Sequence, residues 1–415
     1  MSDTIKVRKN LRFSTIEGTF WAVMYGAGET YLSALAVSLG FSGFQISFLS
    51  SFPQFVGSCF QLLTATIKNY FKSIRRFAVI MAFIQSIMWL FLIITSIYMP
   101  YYSIILIWAC LYFSIDAIIG PAWTAWMGYF VPRRLRARYF GKRNRIIGFV
   151  SFISTFIAGF ILNLFNDNII YGFAIIFLAA SFGRFFSALY LNKKYYFRDN
   201  EESNLFQYIN SFKKILNKKR ATNYIIFNAY INFSIMFFGP LFSIYILRSM
   251  ELNMIVYTIN MTLWQVSNFT SSNYFGKLCE KFGDFKVLRM ATYIIIVLPF
   301  LWIMTYYLDK SYQPISTYFL SIIAGFCFSG FTLSSFNLLY EISDKKDVIH
   351  FSSIMNFVRG IAILLGGLSA GLIVESNYIN ELATSLSLIP IHISMGISMI
   401  LRLFSIPILN KIKLK

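Results

Sequence analysis

Apolar residues in this chain come in long runs separated by short basic turns. Windows of about 20 apolar residues, the length that crosses a bilayer as a helix, lie at 16–39, 44–66, 77–98, 102–128, 146–165 and 169–191. A polar stretch, 192–221, holds Lys193, Lys194, Arg198, Asp199, Glu201, Glu202 and a basic run to Arg220. Six more windows follow at 222–247, 254–275, 288–308, 315–340, 355–374 and 386–408. The pattern predicts an all-α membrane protein of about twelve transmembrane helices. They divide into two six-helix pseudo-symmetric halves, 1–191 and 222–415, joined by a cytoplasmic linker at 192–221.

The two halves echo one another. A shift of 211 residues carries Gly28 onto Gly239, and the turn at 65–75 onto the one at 276–286. A shift of 212 carries Asn144 onto Asn356, Gly148 onto Gly360 and Gly159 onto Gly371. Regions that agree on nearly one offset indicate a duplicated half.

Composition narrows the class. Only 13% of residues are charged and 57% are hydrophobic, against about 25% charged in a soluble domain. The formal net charge of +20 would suggest nucleic acid in a soluble chain. With the N-terminus inside, however, 33 of the 37 basic residues fall in inner segments. Arg248 and Lys310 occupy outer loops, and Arg184 and Arg402 lie within spans. This asymmetry is the positive-inside signature, so the charge reports orientation and contact with anionic lipid headgroups, with no nucleic-acid partner. The basic N-terminus leads into a span that carries Glu29 and shows no clear cleavage site, which reads as a retained helix. Cys59, Cys110, Cys279 and Cys327 are far apart and form neither a metal pattern nor a disulfide framework.

Two stretches carry a family resemblance. The turn G-K-L-C-E-K-F-G-D-F-K places Gly276, Leu278, Glu280, Lys281, Gly283 and Lys286 in the order G-x-L-x-[DE]-[RK]-x-G-x-x-[RK]. Earlier, G-P-A-W-T-A-W at 120–126 precedes a basic stretch, V-P-R-R-L-R-A-R-Y-F-G-K-R-N-R, that includes Arg138 and Arg145. Both resemble the inner loops of bacterial major facilitator superfamily transporters. The resemblance implies a secondary transporter that moves a small organic solute across the cytoplasmic membrane by alternating access of the two halves, coupled to protons. It implies no cofactor, a monomer, both termini cytoplasmic, a site at mid-membrane between the halves, and a cavity lined by helices 1, 4, 7 and 10. The inner-gate residues would be Gly276, Glu280, Lys281, Gly283, Lys286, Arg138, Arg145 and Arg359. A drug or metabolite exporter is the variant reading within the class. The alternative outside it is a non-transporting receptor or assembly factor on the same fold, motivated by Asn69 where the first-half loop should carry an acid.

Two acids stand in otherwise apolar spans, Glu29 in the first helix and Asp116 in the fourth. A charge at bilayer depth costs at least a few kcal/mol and marks either a functional site or a paired, structural group. A proton carrier or cation contact is one reading for each; a structural hydrogen bond or a buried protonated acid is the other. Helical spacing puts Tyr25 on the face of Glu29, and Tyr112 and Trp123 on that of Asp116. Asn228 and Asn232, and Gln265 and Asn268, line later helices as polar contacts or as interhelical hydrogen bonds. Arg184 lies close enough to Lys193 to snorkel to the inner surface, and His392 reads as a structural imidazole. No phosphate-cradling loop or zinc cluster is present, which argues against an enzyme.

Overall fold

The computed structural model describes residues 3–63, 67, 71, 73–131, 136–195, 217–342 and 348–412. Among them there are helices and no strand, as expected where lipid offers the backbone no hydrogen-bond partner. Twelve long helices follow in order: α1 Asp3–Ala27, α2 Gly43–Leu62, α3 Ile74–Tyr98, α4 Tyr102–Phe130, α5 Arg136–Leu164 and α6 Ile169–Asn192, then α7 Lys219–Ile235, α8 Met254–Phe282, α9 Asp284–Tyr306, α10 Gln313–Ile342, α11 Val348–Glu375 and α12 Pro390–Asn410. A short helix, Leu32–Ser38, follows α1, and another, Asn377–Ser385, precedes α12. Most of the expected linker, 196–216, lies outside the described residues.

Helix starts repeat as the sequence offset does. Gly43 of α2 and Met254 of α8 are 211 residues apart, as are Tyr102 of α4 and Gln313 of α10. Arg136 of α5 and Val348 of α11 are 212 apart. The first helix of each half also breaks at an equivalent glycine. α1 ends before Gly28 and a 3-10 turn, Glu29–Tyr31; α7 ends before a 3-10 turn, Gly239–Leu241.

Nine helices among the described residues are long and apolar enough to cross a membrane, namely α3 to α7 and α9 to α12. The other three expected spans fall on α1, α2 and α8, which are richer in polar side chains. α8 alone carries Asn260, Thr262, Gln265, Ser267 and Asn268. Lipid-facing surfaces elsewhere are apolar, with Phe91, Leu111, Phe149 and Phe319 all exposed.

The chain forms two compact units. The first comprises Met1–Leu39 and Val56–Leu205, the second Gly40–Phe55 and Phe206–Lys415. In the first, α1 packs against α5 and α6, and α3 against α4 and α6. In the second, α8 and α9 pack on α10, and α7 on α11 and α12. The start of α2 therefore groups with the second unit, where hydrogen bonds hold it. Ser47 Oγ donates to the Gly367 carbonyl at 2.6 Å, the Phe44 amide to Glu375 Oε1 at 2.9 Å, and Arg248 Nη1 to the Phe41 carbonyl at 2.6 Å.

Gly283, in the loop motif, joins α8 to α9 with φ +84°, a backbone that glycine adopts without steric cost. The equivalent place before α3 is held by Ser73, whose side chain accepts from the Arg76 amide. The offset of 211 pairs Gly283 with Lys72 instead, one residue short of that cap. Gly276 is a different case. A Cβ there would meet only Leu333 at 4.0 Å, so no close helix crossing demands its glycine.

Candidate coupling site

The first unit gathers its buried charges along one line. At the break after α1, Gly28 takes φ −108°, ψ −80°. A Cβ on it would meet the Trp89 ring at 2.5 Å and the Met24 carbonyl at 2.7 Å. That close approach lets the chain leave helical geometry at the point where Glu29 follows. Glu29 Oε1 accepts a 2.6 Å hydrogen bond from the Tyr112 hydroxyl of α4. Tyr112 is buried, stacked on Trp108 at 5.0 Å and edge-on to Trp89 at 5.2 Å.

Asp116 stands one turn beyond Tyr112. Its Oδ1 accepts from Gln85 Nε2 of α3 at 3.4 Å, while Gln85 Oε1 accepts from Arg184 Nε of α6 at 2.7 Å. The buried Gln85 amide thus bridges a carboxylate and a guanidinium, donating to one and accepting from the other. Both acids thus meet the same stretch of α4, Glu29 through Tyr112 and Asp116 one turn on, and Gln85 links the second of them to Arg184. Both acids are only half-buried. Two carboxylates facing one guanidinium leave a single negative charge unanswered when both are ionised.

A second cluster continues toward the end of α6. Arg184 Nη1 donates to Ser187 Oγ at 3.3 Å, and Ser187 donates to Glu17 Oε1 at 3.4 Å. Glu17 Oε2 lies 3.4 Å from Arg143 Nη2 of α5, whose Nε also donates to the Ser14 carbonyl at 3.1 Å. Arg143 covers the Trp123 ring at 4.5 Å. Lys194 sits over Trp126 at 4.2 Å and Trp123 at 5.5 Å, its Nζ 3.3 Å from Met127 Sδ. Burial pushes the Lys194 ammonium down to about 8, with Glu17 pulling upward and Arg143 downward.

Arg184 does not snorkel. Its side chain is 2% exposed and turned into the bundle, where the Gln85 amide oxygen and the Ser187 hydroxyl accept from it. Trp123 lies in the Arg143–Lys194 cluster, while Tyr25 stacks on Trp21 at 5.4 Å and remains within the field of Glu29. Glu17, Gln85 and Arg143 were not singled out in the sequence, and Lys194 was named only as part of the linker. A signal for Glu17 existed: Asn10, Ser14 and Glu17 form a polar stripe at i, i+4 and i+7 on α1.

The remaining candidates belong to the second unit. Asn228 Nδ2 donates to Ser335 Oγ at 3.2 Å, and Asn232 Nδ2 to the Asn228 carbonyl at 2.7 Å, so both are tied within their own bundle. Gln265 and Asn268 are half-buried on α8. Glu280, Lys281, Lys286 and Arg359 are exposed, as is Arg145 in the first unit. The Arg138 side chain lies outside the described residues. His392 is buried beside Tyr306 at 4.9 Å, its Nδ1 3.5 Å from the Tyr307 hydroxyl.

Helices, breaks and repeat define a class. A family model of the Major Facilitator Superfamily matches residues 18–367. The chain belongs to this superfamily, and it is a multi-pass membrane transporter rather than an enzyme. Among solved structures it is similar to a point mutant of the nucleoside transporter NupG, at 14% identity and a TM-score of 0.74, over 96% of this chain and 99% of that one. A bacterial homologue of the human lysosomal transporter Spinster, inward-facing and occupied, aligns at 12% identity and a TM-score of 0.69, over 96% and 95%. A bacterial homologue of the iron transporter ferroportin, inward-facing, aligns at 12% and 0.67, over 99% and 100%. At these identities the likeness concerns the fold. No curated protein matches the sequence.

Proposed function

We propose that the protein is a secondary transporter of a small organic solute, working by alternating access in a cytoplasmic membrane as a monomer, with protons as the coupling ion. Glu29 and Asp116 are its coupling acids. The observation that carries this reading is the charge balance of the first unit. Two half-buried carboxylates stand at one stretch of α4 with a single guanidinium, Arg184, reached through Gln85, so the pair has room for one further positive charge, a proton or a cationic group on the solute. A site of that kind binds a proton and a cation in competition, which is the minimum that exchange coupling requires. The relatives in fold carry names with different cargoes.

The test is a thermal-shift screen of purified protein against amines, amino acids, nucleosides, sugars and carboxylates. A ligand that binds only the folded state raises its apparent stability. A cationic hit lost in both Glu29→Gln and Asp116→Asn, and weakened as pH falls, supports the reading. A hit indifferent to both substitutions returns the acids to structural roles.

A further inference from the structure

The first unit holds a second buried acid–base cluster that the transport reading does not use, and one arginine joins it to the coupling acids. We propose that Arg184 and Glu17 are positioning residues that transmit the charge state of Glu29 and Asp116 to the Glu17–Arg143 tie between α1 and α5. The inference rests on those two acids being the coupling acids, and it adds what their loading does to the bundle.

The geometry is a fork. Through Nε, Arg184 reaches Gln85 and thence Asp116; through Nη1 it reaches Ser187 and thence Glu17. Glu17 in turn takes Arg143, which pairs with no other carboxylate among the described residues and is anchored to the Ser14 carbonyl. One guanidinium therefore stands between an acid pair on one side and a single acid on the other. The charged groups around it come from every helix of the cluster: Glu17 and Glu29 before and after the α1 break, Arg75 on α3, Asp116 on α4, Arg143 on α5, and Lys194 just past α6.

Electrostatics fixes the direction. With Glu29 and Asp116 ionised, Arg184 is held toward Gln85, and Glu17 is left to Arg143. When a proton or cation neutralises the pair, the pull on Arg184 from that side falls and its attraction to Glu17 is left less opposed. In a medium of low dielectric such a change is large compared with thermal energy. Arg184 then competes with Arg143 for Glu17, and the tie between α1 and α5 loosens. Loading at one end of the first unit thus becomes freedom at the other, 12 residues back along α1 from Glu29 to Glu17.

Hydrogen–deuterium exchange on the full chain in lipid nanodiscs reads this without a known substrate, because substitution stands in for the proton. Glu29→Gln with Asp116→Asn is expected to speed exchange of the peptides around Glu17 and Arg143 by about fivefold or more, the low end of an ordinary coupling energy. Glu17→Gln alone should give the same loosening. In an Arg184→Gln background the acid substitutions should add nothing further, which a merely structural arginine does not require. Arg184→Lys, which keeps the charge on a shorter donor set, serves if Arg184→Gln fails to fold, and should leave a reduced response. Unchanged exchange on neutralising the acids overturns the proposal, and so does a full response that persists without Arg184. A ligand whose binding needs Glu29 and Asp116, found together with unchanged exchange, removes this inference and leaves the transport reading standing. Loss of both removes the two together.

Discussion

At the scale of single residues the two buried arginines make the sharpest comparison. Arg184 and Arg402 each lie eight residues before the end of the last helix of their half. Arg184 bonds Gln85 on α3; Arg402 Nη1 bonds the Ile295 carbonyl on α9, 210 residues further on. The first unit answers Arg184 with carboxylates. The long helices of the second carry acids only in their terminal turns, at Glu280, Asp284, Glu341 and Glu375, and among the described residues Arg402 Nε has no partner. Removing one member of a buried charge network costs about 3–5 kcal/mol, while exchanging a buried charge for an apolar side chain of similar volume is often neutral or stabilising. Arg402→Met should therefore keep or raise the apparent Tm, and Arg184→Met should lower it clearly, by thermal unfolding in one detergent. A large loss in Arg402→Met would show that a counter-charge is being supplied to it. Sequence could show that Arg184 had the reach to snorkel. It could not show which way the side chain turned, since that depends on Gln85 and Asp116 arriving from other helices.

Lys194 adds a pH dependence at the same scale. Its amine is completely buried and titrates near 8 in the fold against 10.5 ordinarily. Between those values the unfolded chain holds more protons than the folded one, so stability rises with pH from about 8 to 10.5. Below 8 both states are protonated and the full penalty of burying the ammonium remains, up to about 3 kcal/mol. Lys194→Met should be more stable than the parent at pH 7, and the gap should narrow as pH approaches 10. A gap that stays constant with pH would mean that packing, and not the charge, sets it.

Among the elements, the broken first helix is what makes the acid site. An unbroken α1 would carry residue 29 on with helical φ and ψ; the 3-10 turn redirects the backbone at Gly28 and brings Glu29 to Tyr112. Gly28→Ala forces its Cβ against a backbone carbonyl and an aromatic ring that is itself fully buried. Overpacking of this sort costs about 1–3 kcal/mol. The variant should lose that much stability and should also lose the ligand response of Glu29, a pairing that binding and unfolding measurements on one preparation would reveal. The pairing of Gly28 with Gly239 was visible in the sequence as a repeat, but the break at each was not. Helix breaking there depends on Trp89 crowding Gly28 and on Pro240 starting the second turn. Likewise, the sequence marked twelve apolar windows, but only nine helices among the described residues are apolar enough to cross a membrane, because α1, α2 and α8 dilute theirs with serine, asparagine and glutamine. Several of those residues, Ser47, Asn260 and Ser267 among them, bond to other helices, and single-chain hydropathy cannot register that.

For the whole molecule, the duplicated helix pattern and the charge asymmetry bear on orientation together. Twelve spans would put both termini on one side, and we propose from the basic excess that this side is the cytoplasmic one. The two ends of α9 offer a direct reading. Lys281 is exposed at the close of α8, just before Gly283 turns the chain into α9. Lys310 is exposed beyond the other end of α9, 3.9 Å from Glu251. A helix of 23 residues separates them, about 34 Å of rise and so the full depth of the hydrocarbon core. In a cysteine-free background, Lys310→Cys should react with a membrane-impermeant maleimide in intact cells. Lys281→Cys should react only after the membrane is opened. The reverse pattern would invert the topology and leave the 33 inner basic residues facing out. Reaction of both in intact cells would mean that α9 does not span at all, and the repeat of α3 in α9 would then be a matter of packing alone.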